Sequence, residues 1–112
     1  MTPPDACRAS LTAGAQQDLG AIVRWIAEHD SLRASEQVLD KVMNTCRGLQ
    51  PQPERGSFPT ELLALGIRRY RQVFVKPYRM IYRVLDDRVV VVLIADGRRN
   101  LKSLLERRLL GA

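Results

Sequence analysis

The sequence predicts an α+β fold in which an antiparallel helix hairpin packs on an antiparallel β-sheet. In the N-terminal half, apolar residues recur at the 3.6-residue spacing of helices, whereas residues 68–95 hold three β-branched and aromatic runs of strand length. The composition, 46% apolar and 27% charged over 112 residues, is typical of a globular chain with one modest core. We therefore expect a single domain over residues 1–112, with residues 1–5 as a flexible tail.

A short strand and two helices are predicted first along the chain. Residues 6–11 alternate small or apolar with polar residues, which is typical of a strand. Thr12 and Ser31 are residue types that cap helix N-termini, and each precedes an apolar stripe. The first helix should end between residues 28 and 30, and the second should close at Gly48, so the short connection predicts an antiparallel hairpin. The two stripes are Ala15, Leu19, Ile22, Val23 and Ile26, then Val38, Leu39, Val42, Met43, Cys46 and Leu49.

The C-terminal half predicts a three-strand meander followed by a short helix. Residues 53–66 are rich in turn formers and should form a loop with one short helical or extended piece. The segments "RRYRQVFV", "YRMIYRVL" and "RVVVVLIA" are separated only by "KP" and "DD", which predicts antiparallel neighbours. The last segment is continuously apolar and should be the central strand, covered on both faces. Asn100 should cap the final helix.

Positive charge is concentrated in the second half of the chain. Residues 1–53 carry five cations and six acids, a net charge of −1, whereas residues 54–112 carry thirteen cations and six acids, a net charge of +7. Residues 67–85 hold six cations and no acid. This asymmetry predicts an anionic partner, either nucleic acid or an acidic protein. The alternative for any single arginine is a solvated surface charge, or a salt bridge with Glu61, Asp86, Asp87 or Asp96.

The sequence offers no ligand set for a metal ion. Cys7 and Cys46 are too few and too far apart for a thiolate site, and His29 is the single histidine, so we expect no metal and no cofactor. Both cysteines should be buried, reduced thiols, with a disulfide between them as the alternative. His29 should be a solvated residue at the helix turn. The chain has neither an 18-residue apolar stretch nor a signal-peptide pattern at its start, which predicts a cytoplasmic protein with no membrane association.

Six segments in order carry a family resemblance. "LTAGAQQDLGAIVRWI", "PERG" with "ELLALG" following, "YRQVF", "PYRMIYRV", "VVVVLIADGRR" and "LLERRL" together resemble the RelE/ParE superfamily of type II toxin-antitoxin toxins, from about Ala6 to Leu110. The resemblance implies a RelE/ParE-like toxin fold and a hetero-oligomer with an acidic antitoxin encoded beside it. RelE-like members cut mRNA on the ribosome, whereas ParE-like members poison DNA gyrase, so the fold leaves the target open.

The residues after the last predicted strand favour the ParE-like subgroup. RelE-like enzymes commonly place a tyrosine, sometimes with a histidine, in this region, and "DGRRNLKSLLERRLLGA" contains neither. We therefore expect a gyrase inhibitor that acts by protein contact, with no catalytic residue of its own. Candidate target contacts are Arg98, Arg99, Lys102, Arg71, Arg79 and Arg83. Candidate antitoxin contacts are Trp25, Ile22, Arg69 and Arg79.

Two other functions remain open at this point. In a ribosome-dependent endoribonuclease, Arg71, Arg79 and Arg83 would hold the phosphate and Tyr82 would be the candidate acid. A stand-alone nucleic-acid-binding module is the third possibility. The alternative for each tyrosine is a ring that fills the core with a locally bonded hydroxyl, and the alternative for Trp25 is packing at the helix edge.

Overall fold

The computed structural model describes residues 10–110, in which a four-stranded sheet carries a long helix pair on one face and two shorter helices on the other. The strand order is β1-β4-β3-β2. β1 runs parallel to β4, and the other neighbours are antiparallel, so the predicted meander is confirmed and the sheet as a whole is mixed. The elements are β1 (Ser10–Leu11), α1 (Ala13–His29), α2 (Leu32–Leu49), α3 (Thr60–Leu63), β2 (Arg71–Val75), β3 (Tyr78–Leu85), β4 (Arg88–Asp96) and α4 (Leu101–Leu110).

The predicted helix caps are confirmed by their hydrogen bonds. The Thr12 hydroxyl accepts from the Ala15 backbone N–H at 3.2 Å, and the Ser31 hydroxyl accepts from the Ala34 N–H at 3.0 Å. Asn100 Oδ1 accepts from the Ser103 N–H at 3.1 Å at the start of α4. Each side chain satisfies a donor that has no partner inside its own helix, which fixes where the helix begins.

Two apolar cores lie on opposite faces of the sheet. β4 is one of the two inner strands and contributes to both cores, so the prediction that its continuous apolar run is covered on both faces is confirmed. The core under α1 and α2 contains Ala15, Leu19, Val42, Cys46, Leu49, Val75, Met80, Tyr82, Val89, Val91 and Ile94. The core under α3 and α4 contains Leu62, Tyr70, Ile81, Val92, Leu93, Ala95, Leu101 and Leu105.

A β-bulge interrupts the β3–β4 ladder at Val92. Ile81 pairs with Leu93 and Tyr82 pairs with Val91, so Val92 has no opposite residue. Val92 and its neighbour Leu93 consequently both contribute to the α3/α4 core, although successive residues of a regular strand point to opposite faces. The bulge also leaves the Val92 carbonyl turned away from β3, at the edge of β4 beyond the two-residue β1.

Side chains from two helices form hydrogen bonds with the backbone groups at this part of the β4 edge. Asp18 Oδ2 on α1 accepts from the Ile94 backbone N–H at 3.0 Å. Arg108 on α4 donates through Nη1 to the Val92 carbonyl at 2.7 Å and forms a salt bridge with Asp18, Nη2 to Oδ1 at 2.9 Å. The pair therefore ties α1 to α4 across the sheet edge and replaces the backbone partners that a longer β1 would supply.

Several predicted details are corrected by the structure. The second strand begins at Arg71 opposite Tyr82, not at Arg68, because the chain bends at Arg69 before pairing starts. Leu39, predicted to be on the buried stripe, is 37% exposed, and α2 continues one residue past Gly48. Residues 6–9 of the predicted strand, the predicted tail and Cys7 lie outside the described residues. No helix within residues 10–110 combines the length and apolar character needed to cross a bilayer.

Candidate functional site

A cleft of about 520 Å³ separates α1 from the end of β4, and we call it the α1–β4 cleft. Its walls bring together two groups of residues that the sequence analysis proposed separately. Ile22 and Trp25, candidate antitoxin contacts, come from α1, and Arg98 and Arg99, candidate target contacts, follow β4. The remaining lining residues are Asp18, Ala21, Tyr78, Ile94, Ala95 and Asp96.

Trp25 presents an open aromatic surface to this cleft. Its side chain is 58% exposed and stacks on the His29 ring, with centroids 4.4 Å apart. His29 Nδ1 lies 2.9 Å from the Trp25 carbonyl oxygen, so the histidine is held at the end of α1 by its own helix. A large aromatic ring that is exposed yet oriented by a neighbour is the kind of residue that anchors a protein partner.

The turn after β4 orients one arginine and leaves the next one open. Asp96 accepts from the Arg98 backbone N–H at 2.9 Å and from its guanidinium at 3.0 and 3.1 Å. These bonds lower the pKa of Asp96 to about 2, mainly through the Arg98 side chain. Arg98 is nevertheless exposed, and the Arg99 side chain has no bonded partner among the described residues. The Arg99 fork is therefore available to an anionic group, whereas Arg98 is exposed but already pairs with Asp96 through Nε and Nη2.

Gly97 allows the turn after β4 to pack closely against neighbouring residues. Gly97 does not have a positive φ, so the turn does not depend on the conformational freedom of glycine. Its N–H donates to the Pro77 carbonyl at 2.9 Å, and an added Cβ would stand 3.3 Å from that oxygen and from Arg79 Cγ. The absence of a side chain lets the turn lie against the β2–β3 connection and fixes the position from which Arg98 projects.

Arg79 is a buried structural residue in this fold. It is 8% exposed and lies on the opposite face of the sheet from α1, where its guanidinium bonds Glu61 at 2.7 and 3.0 Å. It also donates to the Gln72 side chain and lies over the Phe74 ring. The Arg79 bond is the main cause that lowers the pKa of Glu61. For this arginine the salt-bridge alternative is confirmed, and its fork is not presented to a partner.

The remaining predicted arginines lie at the far end of the sheet. A second opening of about 470 Å³, the β2–β3 cleft, is lined by Pro53, Glu54, Arg68, Arg69, Arg71, Arg83, Val84, Asp86 and Asp87. β3 runs from Tyr78 in the α1–β4 cleft to Arg83 and Val84 in this one, which places the two clefts at opposite ends of the strand. Arg69 is therefore separated from Trp25 and Ile22. Lys102 is exposed on α4 and lines neither cleft.

Tyr82 is fully buried, and its hydroxyl is satisfied within the fold. The hydroxyl donates to the Pro53 carbonyl at 2.7 Å and accepts from the Gly56 backbone N–H at 2.9 Å. Burial raises its pKa above the ordinary tyrosine value. The core alternative is confirmed for Tyr82, the Tyr70 ring is also buried, and Tyr82 is not positioned with Arg79 and Arg83 around one phosphate.

Asp18 and Arg108 were not among the residues predicted from the sequence. A signal for Asp18 is present, because it lies three residues after Ala15 and four before Ile22, within an otherwise apolar stripe. A carboxylate in that position predicts a buried cationic or backbone partner. Arg108 carries no comparable signal, since it stands in a run of charged residues near the end of the chain. Within residues 10–110, no three His, Cys, Asp or Glu side chains gather in a way that could hold a metal ion.

Comparisons with known proteins agree with one another. The chain is 28% identical over 91 residues to Toxin ParE3 of Caulobacter vibrioides, which covers 81% of this chain and 87% of that protein. The fold is similar to a structure of the chromosomal ParDE TA system from P. aeruginosa, with a TM-score of 0.67 and 14% identity, over 82% of this chain and 97% of that one. Residues 9–101 match the family described as the ParE toxin of the type II toxin-antitoxin system, parDE. The chain therefore belongs to the ParE toxin family.

Proposed function

We propose that this ParE-like toxin arrests growth by inhibiting DNA gyrase through protein contact at the α1–β4 cleft. The observation that carries the proposal is the meeting of an open aromatic ring, Trp25, with two exposed arginines, Arg98 and Arg99, in one opening. An apolar anchor beside cationic forks is the arrangement that protein interfaces concentrate at their centres. The choice of gyrase follows the ParE-like family and the lack of a tyrosine or histidine after β4.

The same cleft is our proposed binding site for the acidic antitoxin. Its apolar wall, with Ile22 half-buried and Trp25 exposed, suits a helix or strand that brings its own apolar face. Arg98 and Arg99 suit carboxylates on that segment. If target and antitoxin share the cleft, neutralisation follows from occupancy alone. The complex should then be a cytoplasmic hetero-oligomer whose affinity falls as salt is raised.

The test compares two charge-matched double variants in growing bacteria. Arg98→Ala with Arg99→Ala should abolish growth arrest, because losing the partner of a buried interfacial charge costs about 2–5 kcal/mol of binding. Arg33→Ala with Lys41→Ala removes the same charge from exposed positions of α2 and should stay toxic. Both variants should melt close to the wild type, since Arg98 is exposed and a surface salt bridge stabilises a fold little.

Two readouts identify the target and the mode of neutralisation. Arrested cells should show double-strand DNA breaks and intact mRNA, and the purified chain should inhibit supercoiling by gyrase. Cleaved mRNA without DNA breaks would support an endoribonuclease and contradict the proposal. Co-expression of the neighbouring antitoxin should relieve the arrest, and Trp25→Ala should weaken the complex. Full toxicity of the Arg98/Arg99 variant would exclude the α1–β4 cleft as the target contact.

A further inference from the structure

The β2–β3 cleft is lined by four arginines and three carboxylates, Glu54, Asp86 and Asp87, so its lining keeps a net positive charge. Arg71 is partly committed, since its Nη1 donates to the Gly56 carbonyl at 2.8 Å and to the Glu54 carbonyl at 3.3 Å, while its guanidinium covers the Phe58 ring. These carbonyls position the fork without cancelling its charge. The other three arginines, Arg68, Arg69 and Arg83, make no salt bridge with any residue in the described part of the chain.

Arg83 is the least satisfied of the four. Its Nε is shielded from solvent and donates no hydrogen bond to any described residue. The guanidinium lies over the buried Tyr70 ring, 5.9 Å from the centroid, and this contact supplies no acceptor to the N–H. A shielded donor without an acceptor destabilises the fold. Arg83 also lines the opening, so an anion in the cleft would interact with its positive charge.

Two of the three carboxylates that line the cleft are not paired with these arginines. Glu54 and Asp86 line the same opening, yet Arg68, Arg69 and Arg83 form ion pairs with neither of them within residues 10–110. Arg68 and Arg69 extend from the exposed segment before β2, while Arg71 and Arg83 project from paired strands. Guanidinium groups from three chain segments therefore surround one opening. The successive phosphates of a nucleic-acid backbone offer acceptors at several points along the strand, whereas a single carboxylate offers two acceptors in one plane.

Apart from its arginines, the described lining of the cleft offers few groups that contact bases. The uncharged lining residues within residues 10–110 are Pro53 and Val84, so this part of the chain supplies no aromatic ring for stacking and no side-chain amide for hydrogen bonds to base edges. Contacts of this type would hold a phosphate backbone and confer no sequence preference. The net charge of +7 on residues 54–112 adds long-range attraction for a polyanion.

We propose that the β2–β3 cleft binds the phosphodiester backbone of nucleic acid without sequence preference. This site is at the opposite end of the sheet from the α1–β4 cleft. It goes beyond the proposed function, because nucleic-acid binding at this cleft and gyrase inhibition at the α1–β4 cleft can each be disproved without affecting the other. Together they would allow the chain to contact a DNA-bound protein and the DNA itself.

The experiment measures binding of the full chain to a short fluorescein-labelled DNA duplex by fluorescence anisotropy over a range of salt concentrations. Each phosphate contact contributes about 0.9 to the slope of log K against log salt, so Arg68→Ala with Arg69→Ala should reduce that slope by about 2. The charge-matched control, Arg33→Ala with Lys41→Ala, should leave the slope nearly unchanged. Arg83→Lys keeps the charge but loses the planar fork, and it should weaken binding several-fold.

Three outcomes would overturn the proposal. Equal loss of slope in the two double variants would show attraction to overall charge without a site. Full affinity in both the Arg68/Arg69 variant and Arg83→Lys would exclude the cleft. Tighter binding of polyglutamate than of duplex DNA at the same salt would assign the cleft to an acidic protein. Matching far-UV circular dichroism and melting curves for Arg83→Lys and the wild type would show that the binding change is not caused by unfolding.

Discussion

Replacing Glu61 by Gln tests whether Arg79 belongs to the interior of the fold. Arg79 is 8% exposed, and its guanidinium donates to both oxygens of the Glu61 carboxylate, at 2.7 and 3.0 Å. Glutamine keeps one acceptor but leaves one N–H unsatisfied and the positive charge without its counter-ion. Breaking a fully buried pair costs about 3–5 kcal/mol. Because the Glu61 side chain is 34% exposed, solvent screening lowers the expected loss to about 2 kcal/mol.

Urea unfolding at pH 7 measures that loss, and thermal unfolding should show a melting temperature about 8 °C lower, at about 4 °C per kcal/mol for a domain of this size. The Arg79 hydrogen bond holds the pKa of Glu61 below its ordinary value of 4.5. A carboxyl group with a depressed pKa stabilises the fold above its unfolded-state value, and this contribution is lost as the pH falls through its folded-state value. The difference between wild type and variant should therefore be constant near neutral pH and shrink below about pH 4.5.

Glu36→Gln is the matched control, since Glu36 is exposed on α2 and has no bonded partner among the described residues. It should change the free energy of unfolding by less than about 0.5 kcal/mol. A Glu61→Gln variant as stable as this control across the pH range would refute the buried-pair interpretation. Arg79 would then return to the candidate target contacts.

Two further predictions use matched pairs of neighbouring or similar residues and urea unfolding as the measurement. Tyr82→Phe should lower the free energy of unfolding by about 1–3 kcal/mol, because the buried Gly56 N–H loses its acceptor. Tyr78→Phe removes a hydroxyl that has no hydrogen-bond partner in residues 10–110, so it should change the free energy of unfolding much less. Arg108→Met should lower the free energy of unfolding by about 1–3 kcal/mol, because it breaks the salt bridge with Asp18. Arg107→Met should lower it by less than about 0.5 kcal/mol, since Arg107 is exposed. Equal losses in the two variants would contradict the role assigned to the Arg108 salt bridge.

The elements that depend on local chemistry could be predicted from the sequence. Thr12, Ser31 and Asn100 mark helix starts because a capping bond reaches only three residues along the chain. The strands of the meander follow from alternation and from short turns. The bulge at Val92 could not be predicted, since one extra residue in a continuously apolar run does not change the pattern.

The candidate site was only partly predictable, because its residues meet through long-range folding. Ile22, Trp25, Arg98 and Arg99 were each proposed from local features, but their assembly into one cleft depends on how α1 lies against the end of β4. The six-cation segment illustrates the same limit. Its Arg79 is neutralised by Glu61, 18 residues earlier, and nothing in the intervening sequence specifies that pairing.

The Asp18–Arg108 pair has a consequence for how this chain can associate. Strand exchange, domain swapping and β-aggregation all begin when a sheet edge offers backbone donors and acceptors to another chain. Past Leu11, the Val92 carbonyl and the Ile94 N–H are already bonded to side chains, so an incoming strand would first have to displace a salt bridge. A protein that approaches this edge must therefore recognise side chains, and the unpartnered chain gains protection against self-association through β4.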